Sequence, residues 1–190
     1  MPDAPTTPDK RTLSASDTFV PNPRGQFVEL GLTTSFSFLR GASDPIDLVT
    51  TAYGLGYDAL GIADRNSMAG VVRLHSEAKT AKMTPVIGCR LDLMDAPSLY
   101  AYPRSRAAYG DLCHLLSAGK MTDADGGWQA KGACHVRLSD VARALTRDIF
   151  LIAIPGEDLD AFAADLPRLS ALPMLGHVAA AFRYRDDDRA

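Results

Sequence analysis

Asp64 is the residue of this chain best placed to do chemistry, because it closes the short apolar run Ala59-Leu-Gly-Ile-Ala63. A carboxylate directly after a buried strand can bind a metal or act as a general base. The competing reading is that it caps its own loop or pairs with Arg65. Ligands of α/β folds gather where strands end and loops begin. That singles out Thr33 to Ser37, Asp64-Arg65-Asn66 and Arg90 to Asp92. The four histidines, His75, His114, His135 and His177, are weaker candidates. His75 and His114 fall on helical patterns rather than at strand ends. Cys113-His114 and Cys134-His135 pair two metal-binding residue types, but neighbours on a helix point about 100° apart and neighbours on a strand point to opposite faces, so neither pair chelates one ion easily. No Walker-type phosphate loop, GxGxxG fingerprint or GxSxG elbow is present. The acidic triplet Asp186-Asp187-Asp188, set among Arg183, Arg185 and Arg189, reads as a solvated mixed-charge face.

The elements that must position these residues follow from periodicity. Phe27 to Leu32 reads as a strand. Asp44-Pro45 supplies an N-cap and a proline at the first helical position, and Ile46, Val49, Thr50 and Tyr53 follow at helical spacing up to Gly54 and Gly56. Ala59 to Ala63 reads as a buried parallel strand. Asn66-Ser67 is a candidate cap for a helix with Val71, Leu74, His75 and Ala78 on its inner face. Pro85 to Cys89 and Ser98 to Tyr102 are further strands. Arg104 to Ser117 reads as a helix burying Tyr109, Leu112, Cys113 and Leu116, followed by a loop from Gly119 to Gly132. Val136 to Leu138 is a short extended piece and Leu138 to Leu145 a short helix. Ile149 to Ile154 is the strongest strand; Leu159 to Leu169 forms a helical face, and Met174 to Tyr184 offers a last strand or two. Strands alternating with helices imply a parallel sheet covered by helices. Periodicity leaves open whether that sheet is flat or curls into a barrel.

The chain has 190 residues, 46% apolar and 23% charged, with a formal charge of −3. That length suits one domain with a self-sufficient core. The acidic balance excludes gripping nucleic acid by bulk charge. No apolar run reaches the roughly 18 residues of a membrane span, and no signal peptide opens the chain. Three cysteines, Cys89, Cys113 and Cys134, do not sit at paired spacings, so a disulfide framework is not expected. The expected setting is cytoplasmic. Residues 1–26 hold five of the twelve prolines and read as a disordered or loosely attached leader.

Several ordered stretches resemble one family. Glu29-Leu-Gly-Leu-Thr-Thr-Ser-Phe-Ser-Phe-Leu-Arg-Gly-Ala-Ser43, Gly61-Ile-Ala-Asp-Arg-Asn-Ser-Met-Ala-Gly-Val-Val-Arg73, Pro85 to Leu93 and Arg106 to Lys120 are similar, in that order, to the opening of bacterial DNA polymerase III alpha subunits. The wording Phe-Ser-Phe-Leu-Arg-Gly-Ala-Ser and Asp-Arg-Asn-Ser is nearest the error-prone, damage-tolerant branch. The resemblance covers residues 27–190 and implies a polymerase and histidinol phosphatase (PHP) domain. Its fold class is α/β, a distorted (β/α)7 barrel that this stretch would leave incomplete, with an open sheet edge. Active members hold a metal cluster for phosphoester hydrolysis, in some cases 3′–5′ exonuclease proofreading.

Position by position, the resemblance places the ligand sites on Gly31, Thr33, Asp64, Arg65, Arg90 and Ser98. Of these only Asp64 keeps a ligand type, so the expectation is a vestigial pocket with no catalytic residue, no metal and no cofactor for this segment. Asp64 is expected to pair there with Arg65 or Arg90. Magnesium belongs to the full-length polymerase by family, and Mn or Zn only to the alternative, a small metal-dependent phosphoesterase or exonuclease. The implied partners are the remainder of the polymerase chain, the sliding clamp, accessory mutagenesis proteins and DNA. Whether the 190 residues are a fragment, a remnant or a domain that packs against something else stays open at this level.

Overall fold

The protein is described by a computed structural model over residues 27–123, 125–145 and 148–179. Six strands form one sheet in the order of the chain: β1 (Glu29–Leu32), β2 (Ala59–Arg65), β3 (Thr84–Leu91), β4 (Leu99–Pro103), β5 (Ile149–Ala153) and β6 (Leu175–Val178). Five helices accompany it: α1 (Pro45–Gly54), α2 (Val71–Thr80), α3 (Arg106–Met121), α4 (Leu138–Ala144) and α5 (Leu159–Ser170). The proline-rich leader, the Asp186 triplet and the end of the expected last strand lie outside the described residues.

Local sequence explains most of these elements. The Asp44 carboxylate accepts from the Ile46 amide at 3.0 Å, and Pro45 fills the first helical position of α1. Ser105 caps α3 and Asp158 caps α5 in the same way. Two sequence expectations need correction. Asn66-Ser67 does not cap α2, which starts at Val71 after Gly70 without a side-chain cap. Asn66 instead adopts φ +44° and turns the chain at the end of β2. The expected loop from Gly119 also begins later, because α3 runs on to Met121. Gly119 is buried inside that helix: a Cβ there would lie 2.8 Å from the His135 carbonyl, so glycine lets the segment before α4 pack close. The buried stripe of α3 is Ala108, Leu112, Leu115, Leu116 and Gly119; Leu112 and Leu116 are buried as expected, whereas Tyr109 and Cys113 are only half-buried.

The sheet is mixed, not parallel throughout. β1–β2, β2–β3 and β5–β6 run parallel, whereas β3–β4 and β4–β5 are antiparallel. Residues 92–98 are too few for the crossover of a dozen or more residues that a parallel neighbour requires, so β4 must turn back beside β3.

The sheet also curls into a half-barrel. Two strands separate β4 from β1, a spacing of about 14 Å in a flat sheet, yet the Tyr102 hydroxyl on β4 donates to the Leu30 carbonyl on β1. Gly88 on β3 permits this, since a Cβ there would overlap the Tyr102 ring. Burial raises the pKa of the Tyr102 hydroxyl, which therefore stays a protonated donor. One apolar core packs α1 and α2 on β2 around Leu60, Ile62 and Leu74; the other packs α3, α4 and α5 on β3–β5 around Leu91, Leu99, Leu112 and Leu151.

Candidate functional site

The C-terminal ends of β1, β2 and β3 converge under the loop from Thr33 to Ser43, and Asp64 sits there with 0% exposure. Its carboxylate accepts from the Thr34 amide at 2.8 Å, from the Thr34 hydroxyl at 2.8 Å and from the Ser37 hydroxyl at 2.7 Å. Ser37 Oγ in turn accepts from the Arg65 amide at 2.9 Å. Thr34 and Ser37 are themselves buried. Gly70 closes the other side, where a Cβ would stand 2.5 Å from Asp64 Oδ2. The hydrogen bonds of the Asp64 carboxylate therefore go to the loop after β1, which it pins to the sheet.

The expected pairing of Asp64 with Arg65 or Arg90 does not occur. Both arginines turn to Asp92. Arg65 and Arg90 are direct register partners on adjacent strands, so their like charges need an anion between them. Asp92 supplies it: Oδ2 takes the Arg65 guanidinium, and Oδ1 takes Arg90 Nε at 2.8 Å and the Ser98 hydroxyl at 2.8 Å. Asn66 Oδ1 accepts the Asp92 amide at 3.0 Å and fixes the backbone of this group. Burial pushes the Asp92 carboxyl up, but the hydrogen bonds from Ser98 and Arg90 and the charges of Arg90 and Arg65 outweigh it and hold its pKa below the usual value. Beside them the Cys89 thiol donates to the Asp64 carbonyl at 3.3 Å. Burial pushes its pKa up to about 12, so it serves as a small apolar side chain rather than a ligand.

Of the six positions singled out in the sequence, Arg65, Arg90 and Ser98 meet at Asp92. Asp64 lies apart from them beneath the loop. Gly31 faces the Tyr100 hydroxyl, and the Thr33 hydroxyl reaches no farther than the Gly31 carbonyl at 3.4 Å. Thr34, Ser37, Asn66 and Asp92 carry the geometry; all four lie in the strand-end stretches the sequence singled out, but only Asn66 was given a role there, as a helix cap. The signal was present for Thr34 and Ser37, two hydroxyls three residues apart beside a strand-end carboxylate.

A divalent cluster needs several converging carboxylate or imidazole ligands. Here Asp64 is saturated by loop donors and Asp92 by two guanidinium groups and a hydroxyl. Among the described residues no three His, Cys, Asp or Glu side chains converge. His177 packs on the Phe150 ring at β6, 5.1 Å between centroids. The described residues do not fit a divalent metal cluster. Among the described residues, no helix is long and apolar enough to cross a membrane.

The PHP domain pattern matches residues 29–188. The chain is 43% identical over 171 residues to the error-prone DNA polymerase of Rhodopseudomonas palustris strain BisB5, covering 86% of this chain and 15% of that protein. It is 38% identical to the error-prone DNA polymerase of Allorhizobium ampelinum and 43% identical to that of Caulobacter vibrioides, covering 86% and 76% of this chain and 14% and 13% of those proteins. It thus spans about one seventh of the length of these relatives. Among solved structures, a candidate metal-dependent phosphoesterase from Bifidobacterium adolescentis superposes with a TM-score of 0.62 at 14% identity, covering 82% of this chain and 77% of that one. An amidohydrolase from Chromobacterium violaceum, with bound sulfate and no metal, superposes with a TM-score of 0.59 at 11% identity, covering 80% and 75%. With the sequence pattern spanning the strands, the loops and the Asp64 and Asp92 groups alike, this chain belongs to the PHP domain family.

Proposed function

We propose that this chain is the N-terminal PHP segment of an error-prone DNA polymerase alpha subunit and serves there as a metal-free, non-catalytic brace for the polymerase core. The observation that carries the reading is the use of Asp64: the ligand-type residue left at the mapped positions spends both oxygens on Thr34 and Ser37. The Arg65–Asp92–Arg90 group replaces ion-mediated cohesion between strand ends with direct ion pairing. In the full-length protein the activity would be DNA-directed DNA synthesis past damaged template, supported by magnesium on residues outside this segment. Its partners would be the rest of the polymerase chain, the sliding clamp, accessory mutagenesis proteins and DNA, in the cytoplasm.

The second reading is a small metal-dependent phosphoesterase or 3′–5′ exonuclease, which the name of the Bifidobacterium neighbour favours. Elemental analysis and hydrolysis assays separate the two. The brace predicts no stoichiometric Mn, Zn or Fe and no release from p-nitrophenyl phosphate or a 3′-labelled oligonucleotide. Hydrolysis that disappears in Asp64→Ala would overturn it.

A further inference from the structure

A cavity of about 520 Å³ opens between α3 and α4, and none of its lining residues belongs to the strand-end groups around Asp64 and Asp92. Met94, Leu115 and Ala118 give it an apolar wall, and the Met94 side chain stands half-exposed there. His114, His135, Arg137 and Arg143 supply polar groups around that wall. An apolar surface with a few polar anchors, in a volume within the roughly 300–1,000 Å³ range, is the make-up of small-molecule sites.

The charges of the cavity are not paired off evenly. Asp140 Oδ1 accepts from the Arg143 guanidinium at 2.7 Å, and its Oδ2 accepts from the Arg137 amide at 3.0 Å. Asp123 Oδ1 accepts from the Asp125 and Gly127 amides at 3.0 and 2.7 Å and closes its own turn. Both lining carboxylates are therefore committed within the protein. The Arg137 guanidinium, by contrast, has no acidic partner among the described residues. The His135 ring adds a donor beside it. Its Nδ1 is enclosed and has no hydrogen-bond partner, so a proton there would be a buried donor without an acceptor. The tautomer with its proton on Nε2 avoids that cost and leaves Nε2–H as the group the ring offers to the cavity. The ring is also held in place, because the His135 amide donates to the Gly119 carbonyl at 2.8 Å and Gly119 lets this segment lie close against α3. An unpaired guanidinium and an imidazole N–H, fixed beside an apolar wall, match an oxyanion carried on an apolar body.

We propose that this cavity binds a small organic anion, with its carboxylate or phosphate head on Arg137, His135 and His114 and its apolar body against Met94, Leu115 and Ala118. The site is built on α3 and α4 and is independent of the bracing role.

The test is titration of this chain, labelled with nitrogen-15, with 4-phenylbutyrate, phenyl phosphate and 4-phenylbutylamine, followed by amide shifts in NMR spectra. The anions are expected to move the Gly119, Thr122, His135 and Arg143 amides and to leave those of β1 and β2 in place, with a Kd of roughly 1 mM or tighter. The tighter of the two anions identifies the head group. The amine is expected to bind at least about tenfold more weakly. Arg137→Gln is expected to weaken the anions about tenfold, and Ala118→Trp, on the exposed surface of α3, to fill the cavity and abolish binding. Lys79→Gln on α2 is expected to leave the Kd within about twofold, since additivity and independence hold for distant sites; circular dichroism checks that each variant is folded. Absence of shifts at about 10 mM of either anion would overturn the proposal. So would equal affinity for the amine, or anion binding untouched by Arg137→Gln. Inorganic phosphate binding as tightly as phenyl phosphate would overturn it too, because the apolar wall would then contribute nothing.

Discussion

Asp64→Ala tests whether the carboxylate is an anchor or a relic of catalysis. Hydrogen bonds to a charged group are worth about 1.5–3 kcal/mol each, so the three donors on Asp64 contribute a gross 4.5–9 kcal/mol or so. Keeping a fully buried charge out of water offsets several kcal/mol of that. The net loss expected in Asp64→Ala is about 3 kcal/mol, much of it from the Thr34 amide, which unlike the two hydroxyls cannot rotate to another acceptor. In a chain of this size that lowers Tm by about 6–12 °C. Asp64→Asn keeps the volume and one acceptor oxygen and is expected to lose about half as much. Urea unfolding followed by circular dichroism measures the loss. Amide hydrogen exchange locates it, with the Ser37 and Gly41 amides expected to exchange faster while β5 is unchanged. An Asp64→Ala variant within about 0.5 kcal/mol of the parent, or more stable than it, would refute the reasoning, because a carboxylate retained for chemistry commonly destabilises its fold.

Two further outcomes follow from the ionisation of neighbouring groups. The folded-state pKa of Asp92 is depressed, so its contribution is present above the unfolded value near 3.8 and is lost as pH falls through the folded value. Asp92→Asn is expected to cost about 1 kcal/mol at pH 7, a figure kept small because Arg65 and Arg90 are about one third exposed and screened by solvent; it should also flatten the loss of stability below pH 4 in urea titrations. Cys89, its thiol buried and its pKa pushed up to about 12, is expected to react with iodoacetamide at pH 8 more slowly than Cys134, a half-buried thiol whose pKa burial also raises; mass spectrometry of the labelled peptides reads this, and equal rates would contradict the buried placement.

The fold was legible in the sequence where short-range chemistry decides it. Asp44-Pro45 starts a helix because the carboxylate meets an amide two residues on. The apolar run before Asp64 makes a central strand because both its faces are covered, by α1 and α2 on one side and by the inside of the curl on the other. Strand direction was not legible from periodicity, since parallel and antiparallel strands share a two-residue repeat. The length of the β3–β4 connection held the answer instead. The curl depended on a match between distant positions, Gly88 leaving room for Tyr102 to reach Leu30, which no local pattern encodes.

The site was legible as a location and not as a set of bonds, and the reason is electrostatic. Sequence placed Asp64 next to Arg65, with Arg90 at the end of the following strand, so a salt bridge looked natural. Side chains alternate faces along a strand, however, and Asp64 and Arg65 are consecutive on β2. The carboxylate therefore turns in under the loop while the guanidinium turns out toward Asp92. A buried carboxylate can be satisfied by neutral donors that come with it, as Thr34 and Ser37 do, whereas two facing arginines require an anion of their own. Asp92 meets that need at the one place where β3 ends and the chain bends back through Ser98. The charges of Arg65, Arg90 and Asp92 are thus balanced within the same strand ends, and Arg40, Lys120 and Lys131, without an acidic partner among the described residues, face an open cleft beside the loop after β1.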